Sequence, residues 1–413
     1  MVKSAFSNCL LLLAAFAFSC KPEKEVKKPI IHPQLIPHLN QANKPFPFGV
    51  ASGDPQLNSL VIWTKYLADS SQLDSTIRID WELSANREFS KIFDKGTINT
   101  NRHKDFTVKA NVEGLEANST YYYRFRVGST YSEIGEGKTL GNQEGYKVAF
   151  VSCSNYEWGY FNAYRLIAQD STIDLVVHLG DYIYEYGIGK YGDTTINRLN
   201  VPEYEIISLD DYRTRYALYR LDPDLKLLHQ KKSMINIWDD HELANNAYMT
   251  GAQNHDSTEG DWTKRKAAAA QAFHEWLPIQ HPNTLPIYRN FKGGSLFNLL
   301  ALDTRLAGRT VQVENPASAN FSDSSRAILG KDQFNWMQNQ LQGEQRWNIV
   351  ANQVPFGPMK FVGKDGPELY MDGWDGYPYE REKMLQFLEN IELKNTVFVT
   401  GDFHRAFVLE NDL

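Results

Sequence analysis

The sequence predicts two folded regions in series: a small all-β sandwich over residues 46–140, then an α/β domain over residues 146–413 in which strands alternate with helices. Three observations predict it. Short runs rich in β-branched and aromatic residues, punctuated by Gly, Asp and Asn, fill the first region. Strand and helix patterns alternate through the second. Within the second, Val148–Val151, Gly159–Asp170 and Ile173–Leu179 read as strand, helix and strand, a βαβ unit whose strands are parallel. The length of 413 residues agrees with two or three domains at ~150 residues each.

Ahead of both regions stands a leader. Met1–Cys20 has a positive start at Lys3 and an apolar run, Leu10–Phe18, too short to span a bilayer. It closes on Ser19–Cys20, a pattern that resembles a lipoprotein signal in which Cys20 becomes the lipidated first residue; an ordinary cleaved signal is the alternative. The expectation is export to the periplasm or cell surface, with a lipid anchor to the membrane. Residues 21–45 read as linker, charged over Lys21–Lys28 and then Pro-rich. Of the three cysteines in the chain, only Cys153 remains after the leader, so an exported protein has no internal disulfide and the thiol needs another explanation. A formal charge of −7 argues against a nucleic-acid-binding footprint. We expect a monomer.

In the first region Leu60–Trp63, Ile77–Glu82, Phe106–Ala110 and Thr120–Val127 are the expected strands. Val112–Leu115 followed by Thr120–Arg124 resembles the end of a fibronectin type III-like domain. In the second, a polar insertion, Gly187–Pro202, follows the βαβ unit. Asp210–Gln230 reads as helices carrying Arg213, Arg215 and Arg220, and Trp262–Trp276 as a helix. Ser233–Trp238 is a strand delivering Asp239–Asp240–His241–Glu242. Leu296–Leu302 is a strand ending at Asp303–Thr304–Arg305, and Trp347–Asn352 one ending at Gln353. Asp332–Leu341 and Glu380–Asn390 are helical. Thr396–Thr400 is a last strand, ending at Gly401–Asp402–Phe403–His404. The sequence stops a few residues later, within what reads as a sheet, so a C-terminal truncation is expected.

Chemistry collects at the strand ends. Open α/β sheets place ligands beyond the carboxyl ends of their strands, and here four strands end in groups able to bind metal: Cys153, Asp181, Asp240–His241 and Asp402–His404. A fifth ends in the neutral oxygen of Gln353. One strand-end Asp is commonly a helix cap or turn residue. Several on one edge repel one another and need a cation to hold them together.

The strings SCSNYEWGYF, HLGDYIYEYG, DDYRTRYALYR, WDDHELANN, ANQVPFG and TGDFH resemble, in order, the PhoD-type alkaline phosphatases of the calcineurin-like metallophosphoesterase superfamily. The resemblance covers nearly all of the chain after its leader. It implies an α/β metallophosphatase-like layered β-sheet domain with helices outside, preceded by a small fibronectin III-like β-sandwich. It also implies a dinuclear or trinuclear site of Fe(III) with Ca(II), or other divalent metals, and hydrolysis of phosphodiesters and monoesters by a metal-activated water. On this resemblance the metal ligands are Cys153, Asp181, Tyr184, Asp240, Gln353, Asp402 and His404. Asp181 would bridge two cations, Tyr184 would supply a phenolate, and Gln353 would favour a hard cation. Asp240 and His241 are the catalytic pair, with His241 as acid or charge stabiliser. Asn245 and Asn246 would orient the site. Gly159–Tyr164, Arg165 and the arginines of the Asp210–Gln230 helices are candidates to line the substrate cleft.

The bland alternatives are a buried, small-hydrophobe role for Cys153, a core or cleft role for Tyr184, and a structural, backbone-bonded His241. A purple acid phosphatase-like enzyme is the rival within the class; Cys153, WDDHE and Gln353 oppose it. A non-catalytic surface lipoprotein binding phosphorylated ligands is the rival outside it, opposed by the intact ligand set.

Overall fold

In the computed structural model, which describes residues 31–280, 286–363, 366–391 and 395–410, period-two patterning builds the first region. Ile77, Ile79, Trp81 and Leu83 alternate along the strand Ile77–Ser84. With Tyr121, Tyr123 and Phe125 of Thr120–Val127 they cover Leu60 and Ile62 of Ser59–Lys65 and Val108, Ala110 and Val112 of Thr107–Glu113. Successive side chains of a strand point to opposite faces, so these rows form one sandwich core. Ile92–Thr100 adds a strand beside Ile77–Ser84 that its sequence, IFDKGTINT, conceals. Its burial alternates between half-buried and exposed, and the polar residues hide the pattern.

The opposite face of the sandwich belongs to the second region. Ser59–Lys65 is buried along its whole length, and Ala51 and Trp63 pack into the core of the α/β domain. Val50–Gly53 pairs in parallel with Ser233–Asn236. One six-stranded sheet therefore runs through Thr107–Glu113, Ser59–Lys65, Val50–Gly53, Ser233–Asn236, Leu175–His178 and Val148–Val151. Gly53 makes the junction possible: a Cβ there would lie 2.3 Å from the Pro278 carbonyl oxygen and 2.7 Å from that of Met234. The sandwich shares a sheet with the α/β domain, a continuity the sequence reading does not anticipate. The expected linker also packs in its described part. Pro33–His38 and Gln41–Asn43 form 3-10 turns, and Leu35 and Leu39 join the main core. The expected leader and residues 21–30 lie outside the described residues.

A second sheet orders Arg289–Gly293, Phe297–Ala301, Trp347–Ala351 and Thr396–Val399; the first pair is antiparallel and the rest are parallel. Phe297, Leu299 and Ala301 face the main core. Leu300 and Val350 point the other way, under Phe334, Met337 and Leu341 of the helix Gly330–Leu341 and Met384 and Leu388 of Pro378–Asn390. Helices Asn162–Gln169, Leu209–Arg220, Pro223–Lys231 and Trp262–Trp276 supply Tyr164, Tyr216, Leu228 and Phe273 to the main core. The architecture is layered sheet with helices outside, as the resemblance implies.

The expected helical stretch Asp210–Gln230 is two helices for a local reason. Ser208 and Asp211 form a capping box that starts the first. Asp222 accepts hydrogen bonds from the amides of Asp224 and Leu225 and starts the second, with Pro223 at its first position. Upstream, Tyr156–Trp158 forms a 3-10 turn, so the helix expected from Gly159 begins at Asn162 and leaves Tyr160 outside it, exposed.

Candidate metal centre

Three of the strands that feed the site end in an abrupt backbone reversal. Cys153 (φ 57°), Asp181 (56°), Asp402 (67°) and His404 (54°) all occupy the left-handed region. A non-glycine residue there costs roughly 1 kcal/mol or more and persists where surrounding structure over-determines it, commonly at functional sites. The loops are stitched together: the Cys153 amide donates to the Gly180 carbonyl at 3.1 Å and the Ser154 amide to that of Asp181 at 2.9 Å. Gly180 (φ 108°) is required for close approach, since a Cβ would stand 2.4 Å from the Asp239 nitrogen.

These turns bring potential ligand atoms into overlapping sets. Within each of three sets the ligand atoms lie within 4.8 Å of one another: Cys153, Asp181 and His404; Asp181, Asp240 and His241; Asp239, Asp240 and Asp402. Asp181 belongs to the first two and Asp240 to the last two, so the sets form one continuous cluster. Tyr184 joins it, its hydroxyl donating to Asp181 Oδ2 at 3.1 Å and lying 3.2 Å from His404 Nε2. His404 Nδ1 lies 3.0 Å from the Tyr191 hydroxyl.

Gln353 departs from the expectation. Its Oε1 accepts from the amide and hydroxyl of Thr304 at 3.2 and 2.8 Å, and its Nε2 donates to the Leu302 carbonyl at 2.7 Å. That side chain ties two strand ends together, and it is the backbone carbonyl of Gln353 that reaches the site loop, accepting from Gly401 at 2.8 Å. The arginines expected near the cleft are structural too. Arg215 and Arg220 are fully buried and donate to backbone carbonyls, including Val201 and Phe48, while Arg213 pairs with Glu275 at 2.6 Å and Arg165 with Asp224 at 3.2 Å. Asn245 and Asn246 act through their backbones: their amides donate to Glu185 Oε1 at 2.7 Å and Asp240 Oδ2 at 2.6 Å.

Several buried charges complete the site. The Glu242 carboxylate accepts from the amides of Asp181 (3.1 Å), Tyr182 (2.6 Å) and Asp239 (2.8 Å), locking two strand-end loops in register. Glu185 Oε2 lies 2.7 Å from His241 Nδ1, and no hydrogen bond among the described residues engages Nε2. The Arg305 guanidinium is inserted among Asp239 (2.5 Å), Asp372 (2.8 Å), Asp402 (3.2 Å) and Asp240 (3.7 Å). Glu242 and Asp239 stand inside the motif WDDHE, Glu185 in GDYIYE and Arg305 at a strand end. Their residue types were visible in the sequence, but only the fold shows that they converge.

Electrostatics show a site with too much negative charge for its burial. Burial first, then Asp240, Asp239 and Glu242, raise the Asp181 carboxyl well above its ordinary range, against the pull of His241. Burial, with Asp239 and Asp372, does the same to Asp402. Burial lifts Asp239 to about 6 despite Arg305, and Glu242 to about 8. The Cys153 thiol and the Tyr184 phenol are pushed up by burial and then by Asp181. Burial also opposes ionisation of Asp240, but Arg305 and then His241 overcome it and hold that carboxyl below the usual range. Burial disfavours the charged form of His241, yet Asp240, Glu185 and Asp181 raise it well above an ordinary histidine.

A carboxyl whose folded value is raised stabilises the fold while protonated and loses that contribution as pH rises through the folded value. Cation-free protein is therefore expected to lose stability from about pH 4 to about pH 8, as Asp239 and then Glu242 ionise. Bound cations reverse the trend and release protons on binding. Denaturant midpoints at about pH 5 and pH 8, with and without chelator, check this; a midpoint that rises with pH in chelated protein contradicts it.

The residues present fit a cation. Asp239 Oδ2 and Asp240 Oδ1 are buried oxygens without a hydrogen-bond partner among the described residues, and a buried unpaired carboxylate oxygen is costly. Cys153, Tyr184 and His404 also border a cleft of about 540 Å³ whose outer wall includes Trp158, Tyr160 and Tyr191. Gly159–Tyr164, expected at a cleft, supplies much of that wall.

Comparison with known proteins gives a consistent result. Residues 148–412 match the family model described as PhoD-like phosphatase, and residues 33–141 match that of the PhoD-like phosphatase N-terminal domain. Alkaline phosphatase D of Bacillus subtilis (strain 168) is 38% identical over 386 residues, which cover 89% of this chain and 66% of the relative. This chain thus spans just under two thirds of that relative's length. A solved structure of PhoD superposes with a TM-score of 0.80 at 37% identity, covering 88% of this chain and 73% of the other.

Proposed function

The chain belongs to the PhoD-like phosphatase family, and from that premise we propose that it hydrolyses phosphate esters, diesters as well as monoesters, at a metal centre held by Cys153, Asp181, Tyr184, Asp240, Asp402 and His404. The observation that carries the proposal is the overlap of three ligand sets through Asp181 and Asp240. Such sharing suits a cluster of cations better than a single ion. Cys153, Tyr184 and His404 offer sulfur, phenol oxygen and nitrogen around Asp181, a donor set suited to Fe(III). The oxygen-only set of Asp239, Asp240 and Asp402 suits calcium.

When bound, the cations polarise the phosphoryl group and lower the pKa of water so that it is nucleophilic near neutral pH. The chain's own residues do the rest. Glu185 orients the His241 ring through Nδ1 and, with Asp240 and Asp181, favours its protonated form. His241 can then give a proton or a hydrogen bond to the departing oxygen from Nε2. The hydroxyl of Ser154, which follows Cys153, shares its proton between the carbonyls of Asp181 and Tyr182 at 3.2 and 3.1 Å and so serves the loop. Lys3, the apolar run Leu10–Phe18 and Cys20 support export with a lipid anchor. Among the described residues no helix is long and apolar enough to cross a membrane.

The test is elemental analysis together with hydrolysis of p-nitrophenyl phosphate and bis(p-nitrophenyl) phosphate. Protein purified with its metals is expected to cleave both, and chelation is expected to abolish both activities. A metal-loaded protein inert to both esters would overturn the proposal.

A further inference from the structure

The cleft beside the cluster is walled by aromatic rings and carries no formal charge. Trp158 and Tyr160 are 57% and 65% exposed and stand at its rim. The Trp158 ring meets Tyr191 edge-on at 6.1 Å and 81°. Tyr191 in turn lies nearly parallel to His404, 6.2 Å away. An apolar wall thus leads from solvent to a candidate metal ligand. Isolated exposed aromatics need no explanation, but here two stand on one rim that is continuous with a reactive centre.

Charge narrows the ligand. None of the described residues lining the cleft is Lys, Arg, Asp or Glu. Behind the rim the Arg198 guanidinium lies 5.2 Å from the Tyr160 ring, but it is buried and paired with Asp222 at 2.7 Å. A substrate extending into this cleft with a second phosphate or a carboxylate finds no countercharge there. A flat, uncharged substituent finds π-faces and edges, and a volume within the ~300–1,000 Å³ usual for small-molecule sites.

Building on the ester-hydrolase reading above, we propose that this cleft is a subsite for the second substituent of a phosphodiester, and that it selects an uncharged aromatic ring, with Trp158 and Tyr160 as its specificity-determining residues. The single negative charge of the diester stays at the metal centre and the ring occupies the aromatic wall.

The test compares bis(p-nitrophenyl) phosphate with methyl p-nitrophenyl phosphate, which share a leaving group and differ only in the second substituent. The intact protein is expected to prefer the first by about tenfold or more in kcat/KM, the scale of ring–aromatic stacking. Trp158→Ala and Tyr160→Ala are each expected to shrink that ratio several-fold, chiefly through KM, and Trp158→Phe to restore much of it. Both side chains are largely exposed, so loss of the fold is not expected to obscure the result. Equal cleavage of the two diesters by the intact protein, or equal losses on both in the variants, overturns the assignment. Competition between diphenyl phosphate and dimethyl phosphate, read by calorimetry, separates this from the hydrolase reading. If the protein is inert yet holds the diphenyl ester more tightly in a Trp158-dependent way, the subsite stands and the hydrolase reading falls. If neither ester binds, the subsite falls.

Discussion

Asp181→Ala is expected to remove bound metal and turnover together, lowering kcat by about a thousandfold or more. The reason is position. Asp181 is the member common to the thiol–imidazole set and the carboxylate–imidazole set, so its loss opens both. Metal ions contribute several kcal/mol to stabilising a phosphoryl transition state, and about 4 kcal/mol corresponds to a thousandfold. Stability should respond differently. In cation-free protein, burial and then Asp240, Asp239 and Glu242 raise the Asp181 carboxyl well above its ordinary range, against the pull of His241, so removing this carboxyl relieves a crowded set of buried acids. The chelated variant should therefore melt close to the chelated parent, while the stabilisation that added metal gives the parent is lost. Elemental analysis, steady-state kinetics on bis(p-nitrophenyl) phosphate and calorimetry check the three parts. Full activity in the variant would mean that the chemistry lies elsewhere.

Arg305→Met should produce the largest loss of stability. The guanidinium is fully buried and touches Asp239, Asp240, Asp372 and Asp402. Arg309 still pairs with Asp372 at 2.6 Å, but taking away Arg305 leaves Asp239 and Asp402 without a cationic partner in contact among the described residues, and breaking a buried ion pair on one side costs about 3–5 kcal/mol. Protons can replace the lost charge, so the deficit should be greatest at alkaline pH and shrink on acidification as Asp239 and Asp402 take up protons. Calcium should offset it for the same reason. Denaturant midpoints of parent and variant across pH, with and without calcium, measure this. A variant that matches the parent at alkaline pH without metal would show that Arg305 does not organise the cluster.

The sequence made the strand ends legible because parallel strands are short apolar runs with abrupt polar stops. Val148–Val151, Leu175–His178, Ser233–Asn236 and Thr396–Val399 all behave that way, and Cys153, Asp181, Asp240, Asp402 and His404 follow from them. What stayed hidden depended on two distant segments at once. Gln353 ends its strand like a ligand, yet Thr304 claims its amide oxygen. Arg213, Arg215 and Arg220 look like a basic helix face but cap backbone carbonyls or pair with Glu275 in the interior. Glu185 and Glu242 lie inside motifs that were recognised, and their roles appear only when His241 and the Asp181 loop come within reach. Val50–Gly53, four residues without alternating polarity, gives no local sign that it joins the sandwich to the α/β sheet.

The most direct test of the central claim is an anomalous-scattering map from a crystal of protein purified with its metals. Ion density is expected within the space bounded by Cys153 Sγ, Asp181, Tyr184 and His404, with further density toward Asp240 and Asp402. Metal bound elsewhere, with the thiol and these carboxylates left to hydrogen bonds alone, would contradict it.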